Sequence, residues 1–257
     1  MSYVFQYGDL YFLIFGRVAG FFLTAIPFSS RNFLVQLKIW LAAIFSYLIF
    51  MVYPRGTISV SANIFGYLIQ FAGEFLVGAI MGFLTQITFA IFQFAGQMLD
   101  MQIGFGIVNV IDPQSGIQAP ILGNFKNLLA LLFFLTINGH HYLLRALERS
   151  YAYIPIGTVH IKGGLCSFIF SVAGEMFASA FKIALPVIAS LFIADLAMGV
   201  IARTVPQINV FLVGLPLKIG IGLWVLLMLM PLLVWIFSGV FASLFDDLSK
   251  LLFIMRR

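Results

Sequence analysis

The stretch Gln97-Met98-Leu99-Asp100-Met101-Gln102-Ile103-Gly104-Phe105-Gly106-Ile107-Val108-Asn109-Val110-Ile111-Asp112-Pro113-Gln114-Ser115-Gly116-Ile117-Gln118-Ala119-Pro120 interrupts a chain that is otherwise strongly apolar. From Asp100 onward it mixes glycine, proline, amide and acid. Irregular backbone of this kind is not stable against lipid, where an unpaired N–H or C=O costs several kcal/mol. The segment therefore belongs in water, along a cavity, or wrapped in protein. Two further polar landmarks follow it, Asn138-Gly139-His140-His141 and Ile154-Pro155-Ile156-Gly157. The apolar sequence on either side reads as the scaffold that holds this segment.

That scaffold has the composition of a membrane protein. Of 257 residues, 62% are hydrophobic and 9% charged, against roughly 25% charged in soluble domains. The mean hydropathy is +1.09. Residues 75–99 and 219–245 carry no charge, and each exceeds the roughly 20 residues needed to cross hydrocarbon. The expectation is an all-α integral membrane protein built of helical hairpins, with no separate soluble domain. A net charge of +5 reads as an orientation signal rather than a nucleic-acid surface. With Cys166 the only cysteine, no internal disulfide can form. The N-terminal residues lack the basic region of a cleaved signal peptide, so the first apolar segment is expected to be retained.

Six apolar segments are readable, at residues 10–28, 33–53, 64–99, 128–144, 165–201 and 210–245. The third would be a helix of roughly 54 Å at about 1.5 Å per residue, longer than the bilayer core. It either projects from the membrane or breaks near Gly96. Gly16 with Gly20, and Gly78 with Gly82, place small residues four apart on one helix face, the spacing that lets helices approach closely in lipid. The basic tail Lys250, Arg256 and Arg257 suggests a cytoplasmic C-terminus.

Seven charges lie inside apolar runs: Arg17, Glu74, Glu175, Lys182, Asp195, Arg203 and Lys218. Such residues face protein or water, as a proton relay or as ion pairs. Their mixed signs, without an acidic cluster at one level, favour pairing between helices or between subunits. Glu175 and Lys182 share a helix face two turns apart, so their partners are expected elsewhere.

Catalytic motifs are weak throughout. His140 and His141 point about 100° apart on a helix and have no third ligand one turn away, so no metal is expected. Gly104-Phe105-Gly106 is followed by Ile107 rather than an acid, which argues against an intramembrane aspartyl protease using Asp100 and Asp112. No phosphate loop, nucleophile elbow or cofactor motif occurs. The glycines of 104–116 are best read as backbone freedom.

An ordered set of motifs is similar to the FliR family of flagellar type III export-gate proteins. They are Gln97-Met98-Leu99-Asp100, Gly104-Phe105, Asp112-Pro113-Gln114-Ser115, Asn138-Gly139-His140 and Ile154-Pro155-Ile156-Gly157. Phe181-Lys182-Ile183-Ala184-Leu185-Pro186, Asp195-Leu196-Ala197-Met198-Gly199, Arg203-Thr204-Val205-Pro206-Gln207-Ile208-Asn209 and Gly214-Leu215-Pro216-Leu217-Lys218 extend it over nearly the whole chain. The resemblance implies a channel subunit, not an enzyme and without cofactors, in the bacterial inner membrane at the flagellar basal body. It implies FliP-type, FliQ-type and FlhB-type partners in a helical hetero-oligomer, and unfolded export substrates as transient ones. It also implies a FliP-like unit over residues 1–165, including a plug loop at 104–120, and a FliQ-like two-helix unit over 166–257. Carried over by position, the plug and gate candidates are Gly104, Phe105, Gly106, Ile107, Val108, Val110, Ile111, Asp112 and Pro113. An injectisome homologue of the same architecture is the nearest alternative. A secondary transporter is the rival from another class, but it would need an internal repeat that the sequence does not show.

Overall fold

The computed structural model describes residues 2–29, 34–52, 63–106, 120–159, 163–207 and 209–256. Among them are eight α-helices and no strand. These are α1 (Ser2–Thr24), α2 (Val35–Val52), α3 (Ile64–Ile103), α4 (Ile121–Thr136), α5 (Gly139–Tyr153), α6 (Gly164–Thr204), α7 (Val210–Met228) and α8 (Met230–Ile254). Helices α2, α3, α6 and α8 are long and apolar enough to cross a membrane, and α4 with α5 can supply a fifth, broken span. The protein is all-α and integral to the membrane.

Two readings that the sequence left open are decided. Segment 128–144 is not one helix: α4 stops at Thr136, and Asn138 takes a left-handed conformation (φ 57°) before α5 begins. Asparagine tolerates that conformation better than most residues, so the Asn-Gly pair ends one helix and starts another. Segment 64–99 does not break at Gly96. Helix α3 runs 40 residues without interruption, roughly 60 Å at the standard rise. Gly96 serves close packing instead: a Cβ there would overlap the Gly123 backbone of α4.

The chain forms two compact units that interleave along the sequence. The first comprises Met1–Thr88, Leu135–Ala173 and Phe241–Arg257. Its most interior helix is α1, on which Leu13, Ile14, Val18, Phe21 and Phe22 are fully buried or nearly so. Helix α1 crosses α3 through glycine: a Cβ at Gly20 would overlap the Phe75 carbonyl oxygen, and one at Gly78 the Arg17 carbonyl oxygen. The backbones thus touch where the four-residue glycine spacing predicts. Tyr11 ties α2 to α1 by donating to the Ala43 carbonyl at 3.2 Å. Helix α5 is the most amphipathic of the eight. It buries Leu143, Leu147, Ser150 and Tyr151 and turns Arg145, Glu148 and Arg149 outward.

The second unit comprises Phe89–Phe134 and Gly174–Val240. Its core joins Leu99 and Ile103 of α3, Leu122 of α4, Ala184, Val187 and Leu191 of α6, and Leu226 of α7. Edge-to-face ring contacts, Phe89 with Phe134 and Phe92 with Phe237, extend it. Outward from this core, α6 presents Phe177, Phe181, Phe192 and Ile193.

Candidate functional site

The first unit contains one fully enclosed charge network. Arg17 of α1 and Glu74 of α3 meet at 2.6 Å, with both side chains fully buried. A buried charge is stable only when its hydrogen-bonding groups are used, and nearly all are used here. Arg17 Nε donates to Glu74 Oε2, Nη1 to Ser150 Oγ at 3.0 Å, and Nη2 to the Ile154 carbonyl at 2.9 Å. The Ser150 hydroxyl in turn donates to the Leu147 carbonyl at 2.6 Å. The second carboxylate oxygen of Glu74 accepts from the Gly157 backbone N–H at 2.8 Å, and Gly157 has φ 78°, a conformation open to glycine. The guanidinium also lies 4.3 Å from the centre of the Tyr151 ring, a cation–π distance. Three helices and the turn after α5 are thereby fastened to one ion pair.

The second unit carries the stem of the polar stretch. Helix α3 ends at Ile103, and Gly104 follows with φ 105°. Asp100, on the last turn of α3, reaches across to the start of α4. Its carboxylate accepts the Leu122 N–H at 3.0 and 3.1 Å and the Gly123 N–H at 3.2 Å. The first N–H groups of a helix lack intrahelical partners, and a carboxylate there also meets the positive end of the helix dipole. The cap thus comes from a residue more than twenty positions earlier. It joins the segment just before the polar stretch to the segment just after it. Lys126, one turn into α4 and 2% exposed, lies within the electrostatic influence of Asp100.

Of the other charged candidates, Asp195 of α6 and Lys218 of α7 meet at 2.6 Å, with side chains 35% and 24% exposed. Glu175, Lys182 and Arg203 are exposed and form no ion pair among the described residues. Of the plug candidates, Gly104, Phe105 and Gly106 are half-buried at the end of α3, and Phe105 packs on the core of the second unit. Ile107, Val108, Val110, Ile111, Asp112 and Pro113 lie outside the described residues. The rings of His140 and His141 lie with centres 4.3 Å apart, tilted by 36°, at the start of α5.

Sequence reasoning missed Ser150, Tyr151 and Gly157 as partners of the Arg17 pair. A signal existed: Leu143, Leu147 and Ser150 form one stripe of α5, and Ser150 is the only polar residue of that stripe. It also missed Asp100 as a cap, because the capped helix starts more than twenty residues later and no local spacing reveals it.

A model of the family described as bacterial export proteins, family 1, matches residues 9–244. Flagellar biosynthetic protein FliR of Bacillus subtilis (strain 168) is 37% identical over 246 residues, covering 94% of each chain. Its counterpart in Escherichia coli (strain K12) is 31% identical over 247 residues, 95% of this chain and 94% of that one. Surface presentation of antigens protein SpaR of Shigella flexneri is 28% identical over 177 residues, 66% of each chain. The matched residues 9–244 include the buried Arg17 pair, the polar stretch and the α6–α7 hairpin, and the chain belongs to the bacterial export proteins, family 1, as a FliR-family membrane protein of flagellum biogenesis and protein export.

Proposed function

We propose that this chain is a structural subunit of the flagellar type III export gate and forms, with FliP-type and FliQ-type subunits, the conduit through which unfolded flagellar proteins leave the cytoplasm. Within it, residues 104–120 act as the plug of the resting channel, with Gly104, Phe105, Gly106, Ile107, Val108, Val110, Ile111, Asp112 and Pro113 as its working residues. The observation that carries this reading is the Asp100 cap, which fastens the end of α3, just before the glycine-rich, lipid-incompatible stretch, to the start of α4, just after it. A plug held at its stem opens by shifting a balance of a few kcal/mol, without refolding its scaffold.

Assembly with other subunits is supported by the surface of α6. Glu175, Lys182 and Arg203 sit exposed on a helix apolar enough to cross a membrane, among outward-facing phenylalanines. Charges in that setting face protein or water, and partner subunits supply both. An FlhB-type subunit is a further expected neighbour. On this reading the chain comprises a FliP-like unit, 1–165, and a FliQ-like unit, 166–257, and works in the inner membrane at the flagellar basal body. The higher identity and fuller coverage of the flagellar relatives favour export of flagellar components over injectisome substrates.

Native mass spectrometry of the chain co-expressed with FliP-type and FliQ-type partners tests the assignment. One copy of this chain within a larger complex is the expected result. A monomer or homodimer that ignores those partners contradicts it and brings forward the transporter alternative.

A further inference from the structure

The first unit contains a groove of about 610 Å3 between α2 and α5 that the export role does not use. Leu48 and Ile49 of α2 and Leu144 and Ala152 of α5 supply apolar wall, and Arg145 and Glu148 stand on the same groove. The volume lies within the range of small-molecule sites. From these features we infer a binding site for one membrane phospholipid whose head carries an ammonium beside its phosphate, of the phosphatidylethanolamine class.

Three observations support this occupant. First, the α2 wall belongs to a membrane-length helix whose apolar side chains point outward, Trp40 at 68% and Val52 at 77% exposed. A groove beside such a helix is filled from the hydrocarbon phase. Second, α5 packs its apolar side on the core of the unit and turns its charged side outward, so the groove runs from the apolar wall of α2 to a charged edge on α5. Third, Arg145 and Glu148 are three residues apart on α5, both exposed, and form no ion pair among the described residues. A guanidinium suits a phosphate and a carboxylate suits an ammonium. The two charges therefore match a zwitterionic head better than a purely anionic one, which would leave Glu148 facing like charge. His141, one turn before Arg145, also lines the groove. Its ring can donate to a phosphate oxygen in either protonation state.

The test uses the full chain, purified from membranes with the subunits that accompany it, delipidated in detergent and titrated with phosphatidylethanolamine or phosphatidylglycerol. Bound lipid is counted by native mass spectrometry. The expected result is one tightly retained phosphatidylethanolamine per chain. Glu148→Lys should weaken it by about fivefold, the scale of one exposed charge contact, and shift preference toward phosphatidylglycerol. Ala152→Trp should fill the groove and abolish retention. If that variant does not fold, Leu48→Trp fills the same space from an outward-facing position on α2. Equal retention of both lipids, unchanged by either class of variant, means bulk annular lipid only and overturns the inference. A photo-reactive residue at Leu48 that captures a protein segment or a second copy of this chain in cells, rather than lipid, overturns it as well.

Discussion

Arg17–Glu74 in the first unit and Asp195–Lys218 in the second meet at the same 2.6 Å, each across two helices. Their surroundings differ. The first pair is fully enclosed and draws on Ser150, Ile154 and Gly157 for its remaining hydrogen bonds. The second is partly exposed, and no other side-chain hydrogen bond to it is seen among the described residues. Distance alone therefore says little about what an ion pair does. Enclosure and hydrogen-bond saturation make the first a fastening point for α1, α3 and α5, whereas the second is a local brace on the α6–α7 hairpin.

The contrast breaks first at Glu74. Glu74→Ala strands a buried guanidinium and should destabilise the first unit by about 3–5 kcal/mol, read as a large loss of thermal stability in detergent. Arg17→Met combined with Glu74→Leu removes both charges and should recover part of that loss. If Glu74→Ala costs no more than an exposed-pair mutation, the network is not a fastening point. A smaller effect is expected where α1 and α3 touch. Gly78→Ala pushes a methyl into the Arg17 carbonyl and should cost about 1–3 kcal/mol, whereas the same change at Gly174, which has open space around it, should cost far less.

Asp100 sharpens the comparison from the second unit. Asp100→Ala removes a helix cap and should cost about 0.5–2 kcal/mol. Amide hydrogen exchange should quicken at the start of α4, around Leu122 and Gly123, and Asp100→Asn should retain much of the protection. The smallest effect is expected at the exposed pair: Asp195→Ala should change stability by less than about 1 kcal/mol. A large loss there would show that this brace is enclosed by partner subunits in the working assembly.

How much of this was legible follows from which features are local. Long apolar runs announce membrane helices, and the Gly16–Gly20 and Gly78–Gly82 spacings announced close packing on α1 and α3. Both are periodic signals within a single helix. The split between α4 and α5 was written in Asn138-Gly139, an asparagine that accepts a left-handed conformation followed by a glycine. Gly96 looked like a hinge because sequence cannot separate a glycine needed for its torsions from one needed for its lack of a side chain. Arg17 and Glu74 stood out as charges in apolar runs, yet 57 positions separate them, and only the fold pairs them. The Asp100 cap is invisible for the same reason. For Ile107, Val108, Val110, Ile111, Asp112 and Pro113 the sequence and the family resemblance remain the whole basis of the plug assignment.

The most direct test of the gate reading is the ion permeability of liposomes holding the complex with residues 104–116 deleted from this chain. Asp100 and Pro120 are kept, so that the stem of the loop survives. The account predicts normal assembly with the partner subunits and a leak of small ions that the parent complex does not show. An assembled deletion complex as tight as the parent would contradict it.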